Sequence, residues 1–288
     1  MYWAGLGVTR AMLLLALLTG MSSLAAAAQD GTPKRVVSMN LCTDQMAMLI
    51  AGPGQLHSVS YLAADPVSSV LADEAKGYAI NHGVAEEVFF MQPDLVLAGT
   101  YTTRATVQLL RRLGIRVEEF APENSLDDIR ASLRRMGDVL GQPERAARLV
   151  ADLDSRLAMH SSGNARRPTI ATYYANSYTS GAGTLVDSII AASGLANIAA
   201  DLGFTGTARL PLELLILAQP DILVDGGRDY TAPALAYENL AHPAYRDLAR
   251  RSRHAVMPAK YTICGGPFTA EAVRLLREAA DGKAGAAP

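Results

Sequence analysis

Tryptophan occurs once in the 288 residues, cysteine twice and histidine five times. Each scarcity excludes something. Two cysteines allow at most one internal bridge. The histidines, His57, His82, His160, His242 and His254, show none of the close spacings that a zinc or manganese site draws on, so no bare-metal site is expected. A net charge of −2 leaves no basic footprint for nucleic acid. The phosphate-cradling G-x-x-x-x-G-K-[ST] pattern is absent, so ATP hydrolysis by this chain is not expected. Beyond the N-terminus no apolar run approaches the roughly 20 residues of a membrane helix.

What is present begins at the N-terminus. Arg10 closes a short basic region, Ala11 to Leu18 are almost wholly apolar, and Ala26 and Ala28 form a small-residue A-x-A site before Gln29. That layout predicts a cleavable secretory signal over residues 1–28 and a mature chain that is soluble outside the cytoplasm. No cysteine follows the apolar core closely enough for a lipid anchor. Cleavage takes one base from 26 and no acid from 28, for a mature net charge of −3. It also removes Trp3, the only tryptophan.

The mature chain alternates strand and helix signals. Arg35 to Ser38 reads as a buried strand and Asp44 to Ala51 as the helix after it. Val59 begins a strand-like run that ends near Tyr61. Asp94 to Ala98 is a continuous apolar run of the kind parallel strands show. Arg104 to Leu113 is an amphipathic helix stopped by Gly114, and Ile115 to Phe120 is the next strand. The middle differs. Asn124-Ser125 starts one helix, and Pro143 starts a second that runs to about His160, with no strand between them. Then the alternation resumes: strand Thr169 to Tyr174, helix Gly183 to Ala192, strand Asp221 to Val224, a short strand at Ala255 to Met257, and a closing helix Thr269 to Ala280. The expectation is an α/β protein with an N-terminal lobe at 34–123, a helical linker at 124–163 and a C-terminal lobe at 164–281.

The halves share a pattern. Glu86 stands seven positions before Pro93, in a stretch continuing Asp94-Leu-Val-Leu. Glu213 stands seven positions before Pro220, in a stretch continuing Asp221-Ile-Leu-Val. The offset is 127 residues. Two similar lobes leave a crevice at the carboxyl ends of their strands, where open α/β sheets bind ligands.

The opening strand RVVSMN, then QPDLVLAG, LGIRV, Thr179-Ser180-Gly181 and the second AQPDILV occur in an order that resembles the iron-siderophore and cobalamin class of periplasmic binding proteins, over roughly Arg35 to Ala280. The resemblance implies two Rossmann-like lobes joined by a long linker helix, the class III, chelatase-like arrangement. It implies a monomer that captures a metal chelate and delivers it to an ABC permease and its ATPase, with no catalysis and no cofactor. It also implies that Glu86 and Glu213 meet arginines of the permease. Loops after the strands supply the expected ligand contacts. In the first lobe these are Asn40, Leu41, Cys42, Tyr61, Gly99, Thr100, Tyr101 and Arg104. In the second they are Tyr174, Tyr178, Arg209, Gly226, Gly227, Arg228, Tyr230, Tyr261 and Cys264. Tyrosine offers a flat apolar face with a hydroxyl handle, and arginine pairs with anionic groups on a chelate. Cobalamin-binding relatives carry tryptophans at positions held here by Ile80, Thr207 and Tyr261. That substitution, together with the arginines, favours a ferric siderophore over cobalamin, with haem a further chelate class.

Cys42 and Cys264 both fall in predicted cleft loops. An even count in a secreted chain suggests a disulfide. The resemblance places them on opposite lobes, and a ligand-facing or soft-ion thiol pair and two inert thiols stay open beside it. The rival class is a secreted cysteine-dependent enzyme with Cys42 as nucleophile, Asp44 nearby and a distant histidine, although no family signature surrounds these residues.

Overall fold

Five short strands build the first sheet: Val36–Ser38 (β1), Leu56–Ser60 (β2), Ala79–Asn81 (β3), Leu95–Gly99 (β4) and Val117–Phe120 (β5). Their order is β3-β2-β1-β4-β5 and every pairing is parallel. β1 and β4 are buried along their whole length, as central parallel strands covered on both faces must be. The structure, a computed structural model, describes residues 31–159, 167–225 and 235–282. The predicted signal, most of the strip from His160 to the start of the second sheet, and the predicted contacts Gly226, Gly227, Arg228 and Tyr230 lie outside these residues.

The second sheet holds Thr169–Tyr173 (β6), Ala196–Asn197 (β8), Ile222–Asp225 (β10) and Arg253–Val256 (β11) in the parallel order β11-β10-β6-β8. An antiparallel ribbon of Tyr178–Ser180 (β7) and Thr207–Arg209 (β9) stands beside it. Between the sheets come two helices, Leu126–Leu140 and Pro143–Met159. Ser125 caps the first by accepting the Asp128 N–H at 3.0 Å, and Gly141 ends it in the left-handed region at φ 65°. The two helices pack on each other as a hairpin. A Cβ on Gly137 would lie 2.5 Å from Ala146 Cβ, so the approach depends on glycine there. Where the resemblance implied one long linker helix, the chain breaks it in two at Gly141.

The hairpin touches both lobes. Leu126–Leu140 packs against the helices Leu41–Ile50 and Leu185–Ala192, and Pro143–Met159 packs against Thr269–Ala280. One apolar core therefore runs from Val36 and Met46 through Ile129, Leu133 and Leu140 to Ile190, Ile222 and Leu276. Among the described residues there are two parallel sheets and the β7–β9 ribbon, but one compact body from Pro33 onward.

Several bounds differ from expectation for local reasons. The first helix starts at Leu41 rather than Asp44, because Asn40 accepts the Cys42 N–H at 3.0 Å and caps it. Leu41 and Cys42 thus sit in a helical turn, not a loop. The second strand begins at Leu56, and Tyr61 already belongs to the 3-10 turn Tyr61–Ala64. The helix expected over Arg104 to Leu113 does start at Arg104 and ends one residue early, at Arg112. The last strand begins at Arg253, two residues early.

Candidate functional site

In the first sheet the chain moves from β1 through β2 to β3 on one side and takes β4 and β5 on the other. The direction reverses between β1 and β4, where a parallel sheet opens its crevice. A cavity of about 60 Å³ lies there, lined by Asn40, Cys42 and Thr43 after β1, Gly99 to Tyr101 after β4, and Phe120 to Glu123 after β5. It has room for one small chemical group. Asn40, Cys42, Gly99, Thr100 and Tyr101 are five predicted contacts that the fold brings to one place. Tyr101 projects into solvent at 86% exposure.

The second lobe meets this crevice through the segment after β11. Cys264 is bonded to Cys42, with the two Cα atoms 5.1 Å apart, so the disulfide that the even cysteine count suggested is present, and the thiol-pair and Cys42-nucleophile alternatives do not hold in this state. Leu41 packs with Cys264 and Phe268 beneath the bridge and is buried, which leaves it little surface for a ligand. Next to the bridge, the Gly265 N–H donates to Glu123 Oε2 at 3.3 Å. A Cβ on Gly265 would lie 2.5 Å from Ile129 Cγ1 and 2.9 Å from Glu123 Cβ, so only glycine lets the lobes meet this closely. Glu123 is 6% exposed, and burial pushes its carboxyl above the usual range, against hydrogen bonds from Ser132 and Gly265 that pull it down. Sequence reading missed Glu123. Its one signal was its place just past the end of a strand, between Pro122 and a helix start.

Tyr61 stacks on His82 with ring centroids 5.6 Å apart, and His82 Nδ1 lies 3.3 Å from Glu87 Oε1. Tyr178 pairs with Arg209 across the β7–β9 ribbon, and the Arg209 guanidinium lies 5.4 Å from the Tyr178 ring centre. Tyr174 follows β6. Burial raises the pKa of its phenol, although the hydroxyls of Ser180 and Thr172 hydrogen-bond to it. Tyr261 is half-buried and packs on the core as well as on the cysteine cluster. Arg104 is exposed. Ile80 and Thr207 fall in β3 and β9. Glu86 and Glu213 are exposed in the first turns of the helices Ala85–Phe90 and Leu212–Ala218, and neither lines the cavity. Among the described residues no three His, Cys, Asp or Glu side chains converge as metal ligands, and no helix is long and apolar enough to cross a membrane.

Below the cavity, Asp44 is fully buried and accepts the Ser60 hydroxyl at 2.5 Å. Burial pushes its pKa from 3.8 up to about 6, against the pull of hydrogen bonds from Ser38 and Ser60. The folded protein thus keeps a proton that the unfolded chain sheds near pH 4. The stability Asp44 contributes is complete below its unfolded pKa and is lost as pH rises through about 6. Asp44→Asn cannot titrate. Urea unfolding at pH 4 and pH 7 should show the variant gaining about 2 kcal/mol on the wild type between the two conditions. A constant gap would mean that Asp44 is ionised throughout.

The periplasmic binding protein family model matches residues 36–249. A curated cobalamin-binding protein from two strains of Halobacterium salinarum is 28% identical over 215 residues, covering 72% of this chain and 58% of that protein. The chain thus spans under two thirds of the length of these relatives. A periplasmic heme-binding protein from Roseiflexus sp. RS-1 superposes with TM-score 0.68 at 25% identity, over 88% of this chain and 99% of that one. A possible iron-binding periplasmic protein from Staphylococcus epidermidis gives TM-score 0.71 at 18% identity, over 87% and 99%. The vitamin B12 binding protein of Vibrio cholerae gives 0.61 at 17%, over 88% and 98%. The last two likenesses speak for the fold alone.

Proposed function

From the premise that the chain belongs to the periplasmic binding protein family, we propose that it captures a metal chelate in the crevice between its sheets and hands it to an ABC permease driven by a cytoplasmic ATPase. One observation carries the reading: the carboxyl ends of β1, β4 and β5 face the segment after β11 and are bridged to it at Cys42–Cys264, with tyrosines on both sides. In this reading the lobes are 34–123 and 164–281, joined by 124–163. The chelate body lies above the 60 Å³ cavity, which receives only one of its substituents. Asn40, Tyr61, Thr100, Tyr101, Arg104, Tyr174, Tyr178, Arg209 and Tyr261 are the proposed contacts, joined by Arg228 and Tyr230. The arginines favour an anionic ferric siderophore. The name of the curated relatives supports cobalamin as the second ligand class, and the Roseiflexus likeness supports haem as the third.

The test uses protein cleaved after Ala28, which contains no tryptophan. A ferric hydroxamate, a ferric catecholate, cyanocobalamin and haemin are each added to it. The true ligand class should quench tyrosine emission and, at about 100 times its Kd, stabilise the fold by about 2.7 kcal/mol. Neither effect with any of the four would overturn the ligand reading. The export half has its own check. N-terminal sequencing of the exported protein should start at Gln29, and retention of residues 1–28 would refute the predicted signal.

A further inference from the structure

The helices Ala85–Phe90 and Leu212–Ala218 agree beyond their glutamates. Gln92 and Gln219, 127 residues apart, both take the left-handed conformation, at φ 51° and 46°. A proline and an aspartate follow each of them. Asp94 accepts the backbone N–H groups of Lys34 and Arg35 just before β1, and Asp221 accepts that of Thr169 at the start of β6. Val88 and Leu215, at the same offset, are both fully buried. The two helices therefore present the same rotational phase to their sheets, and residues four apart share the outer face. On that face Glu86 is followed by Phe90 and Glu213 by Leu217. Phe90 is 80% exposed and Leu217 is 78% exposed.

A lone exposed apolar side chain needs no explanation. Two at equivalent positions, each one turn from an exposed glutamate, are a repeated surface motif. A surface that occurs twice on one chain fits a partner that offers its own complementary surface twice, which a two-fold pair of subunits does. Resting on the docking reading above, we propose that Phe90 and Leu217 are apolar knobs that seat in hollows on the two permease subunits, each beside the cation that meets Glu86 or Glu213. The glutamates would then supply rate and register, and the knobs the short-range contact area that slows dissociation.

Phe90→Ser and Leu217→Ser, singly and together, test this in the full mature protein. The probe is the permease–ATPase complex that takes up the chelate in this protein's own host, purified and set in nanodiscs. Each single variant should fold and bind chelate as the wild type does, yet lose roughly tenfold in affinity for the complex. The double variant should lose roughly a hundredfold. That loss should persist at about 0.5 M salt, whereas the loss in Glu86→Arg and Glu213→Arg should shrink there. If the serine variants dock as tightly as wild type while the arginine variants do not, the knobs lie outside the interface and the docking reading survives. If all four dock normally, the docking reading fails with the knobs. An effect at only one knob refutes the paired interface, and loss of fold or of chelate binding marks the side chains as structural.

Discussion

Replacing Cys42 and Cys264 together by alanine should cost up to about 5 kcal/mol of unfolding free energy, the scale expected for freeing a loop closed across 222 residues. The bridge fastens the first turn of the helix Leu41–Ile50 to the segment before the helix Thr269–Ala280, so it ties together the two sides of the crevice. A reducing agent should lower the denaturant midpoint of the wild type by the same amount and leave the alanine variant unmoved, which separates the cross-link from the side chains. A double variant within about 1 kcal/mol of the oxidised wild type would show that the shared core and the Glu123–Gly265 contact alone hold the lobes in register.

Glu86→Arg and Glu213→Arg should abolish delivery while leaving capture intact. Both side chains are exposed and neither lines the cavity, so the exchange should cost the fold no more than about 0.5 kcal/mol. At a docked interface it replaces attraction by like-charge repulsion, worth several kcal/mol. Chelate uptake into vesicles carrying the permease and ATPase should fall at least tenfold in each single variant and further in the double variant. Full transport by both single variants would reduce the glutamates to favourable first-turn residues. A fall in chelate affinity would put their helices on the wrong side of the crevice.

The features that could be read from sequence were those whose cause is local. The duplicated Glu-to-Pro spacing was legible because a buried helix position, a left-handed glutamine, a proline and a capping aspartate all lie within nine residues of each other in each half. The helix Arg104–Arg112 was legible from its amphipathic period and Gly114. Misreadings arose where a distant partner decides the outcome. The ribbon of β7 and β9 was missed because three-residue strands carry no period and their partners lie some 30 residues away. Ala79–Asn81 and Ala196–Asn197 were missed for the same reason, each being an edge strand defined by its neighbour. Asn40 did announce its helix, but the cap was not weighed, and the start was placed at Asp44. At the site, tyrosine-rich loops and the two cysteines were visible as types. Their pairing was suggested by the even count and is present, but the burial of Glu123 under Gly265 depends on residues 142 positions apart meeting in space.

The long separation of the two cysteines also sets a clock. Synthesis runs from the N-terminus, so Cys42 exists as a lone thiol while more than 200 later residues are still to be made. With only two cysteines in the chain, no wrong internal partner is on offer during that wait. The bond can close only after the strands of the second sheet described here, all of which precede residue 264, have been made. Its oxidation is therefore a receipt for passage beyond residue 264: a chain that stops before it leaves Cys42 without its partner, and a chain that has passed it does not.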